Sequence, residues 1–296
     1  MTIFTIPKPF RGHIGVIQTN AIRSWVSLRP ACEVILFGDE EGTAEIASEL
    51  GIRHIREVER NEYSTPLVSS MFSVAQDVAK YQLMCYISAD IILMSDFLPA
   101  ISQIKVPSFV LVGQRWDVDL SEPVDFDKPD WEAYLRAHVT EEGKLHPPTA
   151  IDYFVFPRGL YRDIPPFAVG RTAYDDWLLY WTRTLKVPLI DATKVITAIH
   201  QNHDYSHHPG GAAGVWEGPE SKRNIELLGG RDHAFSLEYV TWILTPQGMK
   251  RALSMRHLYF RMRAIPILCP HLHFLLMPFK IFEKCLRAVR LILGTA

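Results

Sequence analysis

The segment Leu83-Met84-Cys85-Tyr86-Ile87-Ser88-Ala89-Asp90-Ile91-Ile92-Leu93 carries one short polar tripeptide inside an otherwise apolar run. An ionised carboxylate beside a core is costly unless it is paired, hydrogen-bonded or metal-bound. Asp90 at the carboxyl end of a buried strand therefore points to a ligand site. In Gly170-Arg171-Thr172-Ala173-Tyr174-Asp175-Asp176-Trp177 two adjacent acids open an apolar helix. Thr172 and Asp175 have the spacing of a capping box, and acids suit a first helical turn. That accounts for one carboxylate; the pair, flanked by Tyr174 and Trp177, reads as a pocket wall able to stack on a sugar ring. In His200-Gln201-Asn202-His203-Asp204-Tyr205-Ser206-His207-His208, four of the twelve histidines are gathered. Imidazole with carboxylate suits manganese or magnesium, less selectively than it suits zinc. A three-histidine zinc site and a plain surface loop remain open alternatives at this point.

These groups need a scaffold, and the first ninety residues alternate between two periods, the pattern of βαβ units and a mostly parallel sheet. Ile3–Ile6 reads as a strand ended by Pro7 and Pro9. Ile14, Ile17, Ala21, Ile22, Trp25 and Leu28 lie at helical spacing, Val34–Phe37 is a buried strand, and Thr43–Leu50 is a helix stopped by Gly51. A short strand follows at Arg53–Ile55. Ser64-Thr65-Pro66 is expected to open a helix running to Lys80, with Pro66 in its first turn. Beyond the Asp90 strand, Phe109–Gly113 and Asp152–Phe156 read as strands, with a partly helical excursion around Trp131–Ala137. Tyr174–Leu185 reads as a helix, Pro188–Asp191 and Val195–His200 as short strands, and His200–Gly230 as a long functional loop.

A net charge of −2 excludes a global basic field and with it an expectation of nucleic-acid binding. The charge is unevenly placed. From Lys250 onward nine cations face one anion, Glu283, which leaves a net −10 on the residues before Lys250. Apolar residues interleave with those cations, Pro266, Pro270 and Pro278 break the tail into short pieces, and Lys280–Leu293 reads as a basic amphipathic helix. Such a helix suits an anionic membrane surface or a partner helix. The four cysteines, Cys32, Cys85, Cys269 and Cys285, lack metal or redox spacing and read as free thiols in a reducing cytoplasm. The amino terminus shows no charged leader before an apolar stretch, so a cytoplasmic protein is expected, peripheral on the inner membrane face if the tail binds lipid.

Taken in order, βαβαβα-strand-Ser88-Ala89-Asp90, then Tyr174-Asp175-Asp176-Trp177, then the histidine loop resembles a nucleotide-sugar glycosyltransferase of the GT-A fold. The strings Pro7-Lys8-Pro9-Phe10, Phe37-Gly38-Asp39-Glu40-Glu41-Gly42, Ser88-Ala89-Asp90-Ile91-Ile92-Leu93, Ile151-Asp152-Tyr153-Phe154-Val155-Phe156 and His200-Gln201-Asn202-His203-Asp204-Tyr205 resemble a bacterial glycosyltransferase family with a degenerate DxD motif. The likeness covers about residues 2–245. It implies an α/β Rossmann-like mixed sheet flanked by helices, with a nucleotide-binding half at 1–115, an acceptor half at 116–245 and a basic helical extension at 246–296. It also implies a divalent cation, Mn or Mg, held by Asp90 with His203 or His200, since Asp90 takes the last position of the DxD tripeptide. Ser88 replaces the first acid and would bond the ribose or a metal-bound water, with Ala89 between. Thr5, Pro7 and Asp39 would hold the base and ribose. Asp175 or Asp176, with Asp175 favoured, would act as the base of an inverting transfer to a glycan or lipid-linked acceptor. Two other classes stay open: a non-catalytic nucleotide-sugar or glycan-binding protein on the same scaffold, and a zinc hydrolase using the histidine loop.

Overall fold

The computed structural model describes residues 1–204 and 210–293. Tyr205, Ser206, His207 and His208 of the histidine-rich segment lie outside the described residues. The opening half alternates as its periodicity requires: β1 (Thr2–Thr5), α1 (Gly12–Ser27), β2 (Glu33–Phe37), α2 (Thr43–Glu49), β3 (Arg53–Ile55), α3 (Val68–Val78) and β4 (Leu83–Ile87). One boundary departs from expectation. Helix α3 starts at Val68 rather than at Ser64, because Thr65, as the residue before a proline, disfavours helical backbone. Asn61 Oδ1 instead accepts the Tyr63 and Thr65 N–H groups, and Pro66 and Leu67 form bridges to Arg60 and Ala168.

After β4 the chain turns through Ser88-Ala89-Asp90 into β5 (Ile91–Leu93), then α4 (Phe97–Ser102), β6 (Val110–Val112), β7 (Trp116–Val118), α5 (Trp131–Glu142), β8 (Lys144–Leu145), β9 (Tyr153–Pro157), α6 (Tyr174–Thr184), β10 (Leu189–Asp191) and β11 (Ala198–Gln201). The region expected as a long loop after His200 instead holds α7 (Gly211–Glu217) and α8 (Pro219–Leu228). Pro219 sits at the start of α8, where no N–H is needed, and Gly229 ends it in left-handed backbone at φ 82°. The hairpin β12 (Trp242–Thr245) and β13 (Gly248–Arg251) follows.

Nine strands form one mixed sheet in the order β13-β12-β10-β6-β9-β4-β1-β2-β3. Strands β3, β2, β1 and β4 are parallel, and β9 runs antiparallel between β4 and β6. Chain order reverses between β1 and β4, so the connections leaving their carboxyl ends diverge and open a crevice. Alternation along the strands divides the core. Ile3, Cys85, Ile87 and Val155 join Ala21, Ile22 and Trp25 of α1 on one side. On the other, the Phe72 ring of α3 lies 5.1 Å from Phe4 and 5.6 Å from Phe156.

A second sheet, β5-β11-β7-β8, extends from the Asp90 turn. Buried polar groups of α1 lock it in place. Trp25 Nε1 donates to the Ile91 carbonyl at 2.9 Å, and Leu93 N–H donates to Ser24 Oγ at 3.0 Å. Gln201, wholly buried, donates to the carbonyls of Ile17 and Asp90 at 2.7 and 3.1 Å and accepts from Asn20 at 3.0 Å. Removing any of these groups would leave a buried partner unsatisfied, at a cost of ~1–3 kcal/mol, so the backbone on both sides of Asp90 is held firmly.

Met1–Arg251 forms one compact unit and Ala252–Ala296 another. The second comprises α9 (Met255–Leu268), a 3-10 turn at Pro270–Leu275 and α10 (Leu276–Leu293). These helices are longer than the expected short pieces: α9 continues through Pro266, and Pro278 lies in the first turn of α10, where a missing N–H costs little. No described helix is long and apolar enough to cross a membrane. All four cysteines are free thiols.

Candidate functional site

The crevice beside β1 is a cavity of about 740 Å³. Its wall includes Thr5, Pro7, Ser88, Ala89, Asp90, Asp175, Asp176, His200 and His203, residues drawn from four separate stretches of chain. Asp39 is absent from this lining. It accepts from Arg60 Nη2 at 2.6 Å, while its neighbour Glu40 lines the cavity and accepts from the same Arg60 Nη2 at 2.9 Å. Ser88 is also committed elsewhere, since its N–H and hydroxyl donate to the carbonyl and Oδ1 of Asp152 at 2.8 and 3.2 Å. Ser88 is thus tied to Asp152, the residue just before β9.

Asp90 Oδ2 lies 3.2 Å from His203 Nε2 and 3.9 Å from His200 Nε2. One ligand atom from each of the three residues falls within 4.8 Å of the others. The distal nitrogens differ: His203 Nδ1 donates to the Asp204 carbonyl at 2.7 Å, while His200 Nδ1 lies at ion-pair distance, 3.1 Å, from Asp117 Oδ1 without hydrogen-bond alignment. Nε2 of each ring faces Asp90, the His203 ring within hydrogen-bond distance, and a bound cation would take the two Nε2 lone pairs in place of that contact. Asp90 Oδ1 is buried with no hydrogen-bond partner among the described residues. Two imidazoles, one carboxylate and an orphaned oxygen fit a divalent ion that keeps further positions for a ligand.

The electrostatics agree. Burial opposes ionisation of Asp90, but the His203 hydrogen bond and the charges of His200, Lys8 and His203 hold its carboxyl well below the ordinary range. Burial likewise opposes protonation of His200, and Asp117 and Asp90 outweigh it to raise its pKa. Lys8 projects into the cavity from a rigid base, because Gln18 receives its N–H at 2.6 Å and donates to its carbonyl at 2.8 Å. Its ammonium is lowered in pKa, first by burial and also by Arg171, against the pull of Asp90.

Across the cavity, the expected capping box does not form. Ala173 takes the N-cap position of α6 in left-handed backbone at φ 82°, and Thr172 Oγ1 is left without a partner. That turn is fixed by Arg171, which donates twice to Glu220 Oε2 at 2.9 and 2.6 Å, and by Asn224, which donates to the Thr172 carbonyl at 3.0 Å. The turn swings Tyr174, Asp175 and Asp176 to the cavity and leaves Trp177 in the core, 5.8 Å from Phe167 and stacked 5.1 Å from Trp181. Trp177 is therefore packing rather than pocket wall. Burial raises Asp175 to about 6, with Asp152 adding to the rise while backbone N–H groups of Asp176, Asp175 and Ile151 oppose it. Asp176 is raised further, to about 8, by burial and by Asp175. Two adjacent carboxylates in such surroundings cannot both ionise readily, so the pair holds a shared proton near neutral pH.

Arg115, Asp117, His146 and Asp152, like Lys8 and Glu40, belong to this region although the sequence did not single them out. Arg115 donates to Asp117 Oδ1 at 2.9 Å and Asp152 Oδ2 at 2.6 Å, and its pKa is raised by Asp152 against the effect of burial. The signal was present in Gln114-Arg115-Trp116-Asp117, which carries charge just past a buried strand, as Asp90 does.

Fold and site together define an α/β protein with a candidate divalent-cation cluster at the reversal point of its main sheet. No protein-family model and no curated protein matches the chain. Among solved structures, the chain is similar to glucosyl-3-phosphoglycerate synthase from Mycobacterium tuberculosis in complex with Mg2+ and uridine diphosphate, with a TM-score of 0.45 and 14% identity over 86% of each chain. Mannosyltransferase PcManGT from Pyrobaculum calidifontis, in complex with GDP-Man and Mn2+, gives a TM-score of 0.44 and 14% identity over 70% of this chain and 58% of that one. TarS from S. aureus, in complex with UDP-GlcNAc, gives 0.31 and 18% over 40% of this chain and 35% of that one, and a further TarS chain is spanned over 22% of its length.

Proposed function

We propose that the protein is a glycosyltransferase that moves a sugar from a nucleotide-diphosphate donor to an acceptor hydroxyl, assisted by a divalent cation held by Asp90, His200 and His203. One observation carries this reading: the cation-type cluster and the acid pair Asp175–Asp176 line the same cavity. A bound cation would offset the charge developing on the leaving diphosphate. Lys8 faces the same anion as a second counter-charge. Thr5 and Pro7 border the nucleoside, and Glu40 rather than Asp39 lines the cavity beside them. Asp175, in its ionised form, takes the proton of the attacking hydroxyl. A base that serves the acceptor directly corresponds to inversion at the sugar carbon. Trp216, on α7 at the cavity wall and 46% exposed, offers an aromatic face to a glycan or lipid-linked acceptor.

Screening nucleotide sugars with manganese by thermal unfolding should pick out one donor that raises the midpoint, and incubation with that donor should release nucleoside diphosphate. Stabilisation without release or transfer across a broad acceptor panel would instead support a binding protein. Stoichiometric, tightly held zinc in the purified protein would support a hydrolase.

The unit from Ala252 to Ala296 supports peripheral attachment to an anionic membrane. It exposes Met255, Met262, Phe274, Met277, Ile281 and Phe282 in the cation-rich stretch. Removing residues 252–296, which spares the compact unit ending at Arg251, should abolish co-sedimentation with phosphatidylserine vesicles. Undiminished binding of the truncated protein would exclude this role.

A further inference from the structure

The second sheet arranges four polar residues in a row across neighbouring strands. His200 on β11 is the register partner of Asp117 on β7 and of Ile91 on β5, the residue directly after Asp90. Asp117 in turn pairs with Lys144 on β8, and His146 follows two residues later. Because side chains alternate faces, Asp117 and His200 share one face, while Val118 and Ile199 point away into a cluster with Leu135 and Val139 of α5. The row reads Asp90, His200, Asp117, His146, and only its first two members are candidate cation ligands.

From this row we infer that Asp117 is a positioning residue for the cation centre, fixing His200 so that Nε2 is presented as a ligand. The inference rests on the cation reading above. Three groups converge on Asp117. Oδ1 lies 3.1 Å from His200 Nδ1 and accepts from Arg115 Nε at 2.9 Å, and Oδ2 is 2.6 Å from His146 Nδ1. The Asp117 carboxylate stands on the Nδ1 side of His200 and Asp90 on its Nε2 side, so Nε2 is the nitrogen placed to give an electron pair to a cation. The ring orientation is fixed as well, since Asp117 is itself clamped by Arg115 and His146. His146 is anchored at both backbone ends, its N–H donating to the Arg115 carbonyl at 2.9 Å and its carbonyl accepting from Gln114 Nε2 at 2.6 Å. Negative charge behind an imidazole strengthens it as a ligand, and loss of such outer partners typically lowers metal affinity about 10–100-fold. Imidazole matters more to Mn2+ than to Mg2+, which prefers oxygen ligands. Asp117 therefore also tilts the centre toward Mn2+.

The test is Mn2+ binding to metal-stripped full-length protein, followed by the electron paramagnetic resonance signal of free Mn2+ and by competition with Mg2+. Asp117→Ala should weaken Mn2+ about 10–100-fold and reduce Mn2+ preference over Mg2+. Asp117→Asn, which keeps an oxygen acceptor, should fall between it and the wild type. His146→Gln, a milder change that removes one clamp, should give a smaller loss in the same direction and covers the case in which the Asp117 variants do not fold. Equal Mn2+ affinity in wild type and folded variants would overturn the role of Asp117. Absence of Mn2+ binding in the wild type would instead remove the cation reading itself.

Discussion

Replacing Asp90 by Asn is expected to lower donor turnover by at least ~10³-fold, the scale of the several kcal/mol that a bound metal contributes to a developing anion. Asp90 is the one carboxylate of the cluster, and its Oδ2 faces both imidazoles. An amide there keeps the shape and loses the charge. Mn2+ affinity should fall in parallel, and cooperative thermal unfolding should persist because Gln201, Trp25 and Ser24 hold the surrounding backbone through main-chain atoms. Turnover unchanged in a folded Asp90→Asn variant would remove the cation from the reaction.

Asp175→Asn should reduce transfer by ~10²–10⁴-fold, the range for removal of a general base, while leaving nucleotide-sugar binding close to wild type. The pH dependence separates this from a structural effect. The base must be ionised, and burial raises Asp175 to about 6, so the wild-type rate should climb as pH rises through about 6. Asp152 contributes to that elevation. Its replacement by Asn should shift the rising limb to lower pH. Asp176, raised to about 8, stays largely protonated at neutral pH, so Asp176→Asn should retain most activity there. A reversed result, with Asp176→Asn inactive and Asp175→Asn active, would exchange their roles. Stability supplies a second readout. Both acids have folded-state pKa values above the ordinary 3.8, so the folded state binds more protons than the unfolded chain between about pH 4 and 8. Their contribution to stability is greatest at the acid side and is lost as pH rises through that window. Asp176→Asn should accordingly raise the unfolding midpoint more at pH 9 than at pH 4.

Much of the scaffold was legible in the chain. The β1-to-β4 alternation follows from hydrophobic period, and the loneliness of Asp90 in an apolar run follows from the cost of burying charge. Where expectation failed, a local signal yielded to a partner distant in sequence. Pro66 suits a first helical turn, yet Asn61 and the bridge to Arg60 draw it into extended backbone. Thr172 and Asp175 have capping-box spacing, yet Asn224 and Glu220 hold the preceding turn so that Ala173 caps the helix. Composition likewise made His200–Gly230 look like loop, although Pro219 and Gly229 delimit a helix there.

By itself, the sequence determined the alternating strands and helices, the polar tripeptide ending at Asp90, the acid pair at the head of α6 and the imbalance of charge between body and tail. These are properties of neighbours along the chain, and periodicity and desolvation act on neighbours. Tertiary structure alone decided that Asp90, His200 and His203 converge, that Asp152 stands beside Ser88, that Asp117 and His146 lie behind His200, and that Glu40 rather than Asp39 faces the cavity. The physical reason is sheet register. A pairing such as His200 with Asp117 joins residues 83 positions apart, and hydrogen bonds between strands that no local spacing encodes carry it.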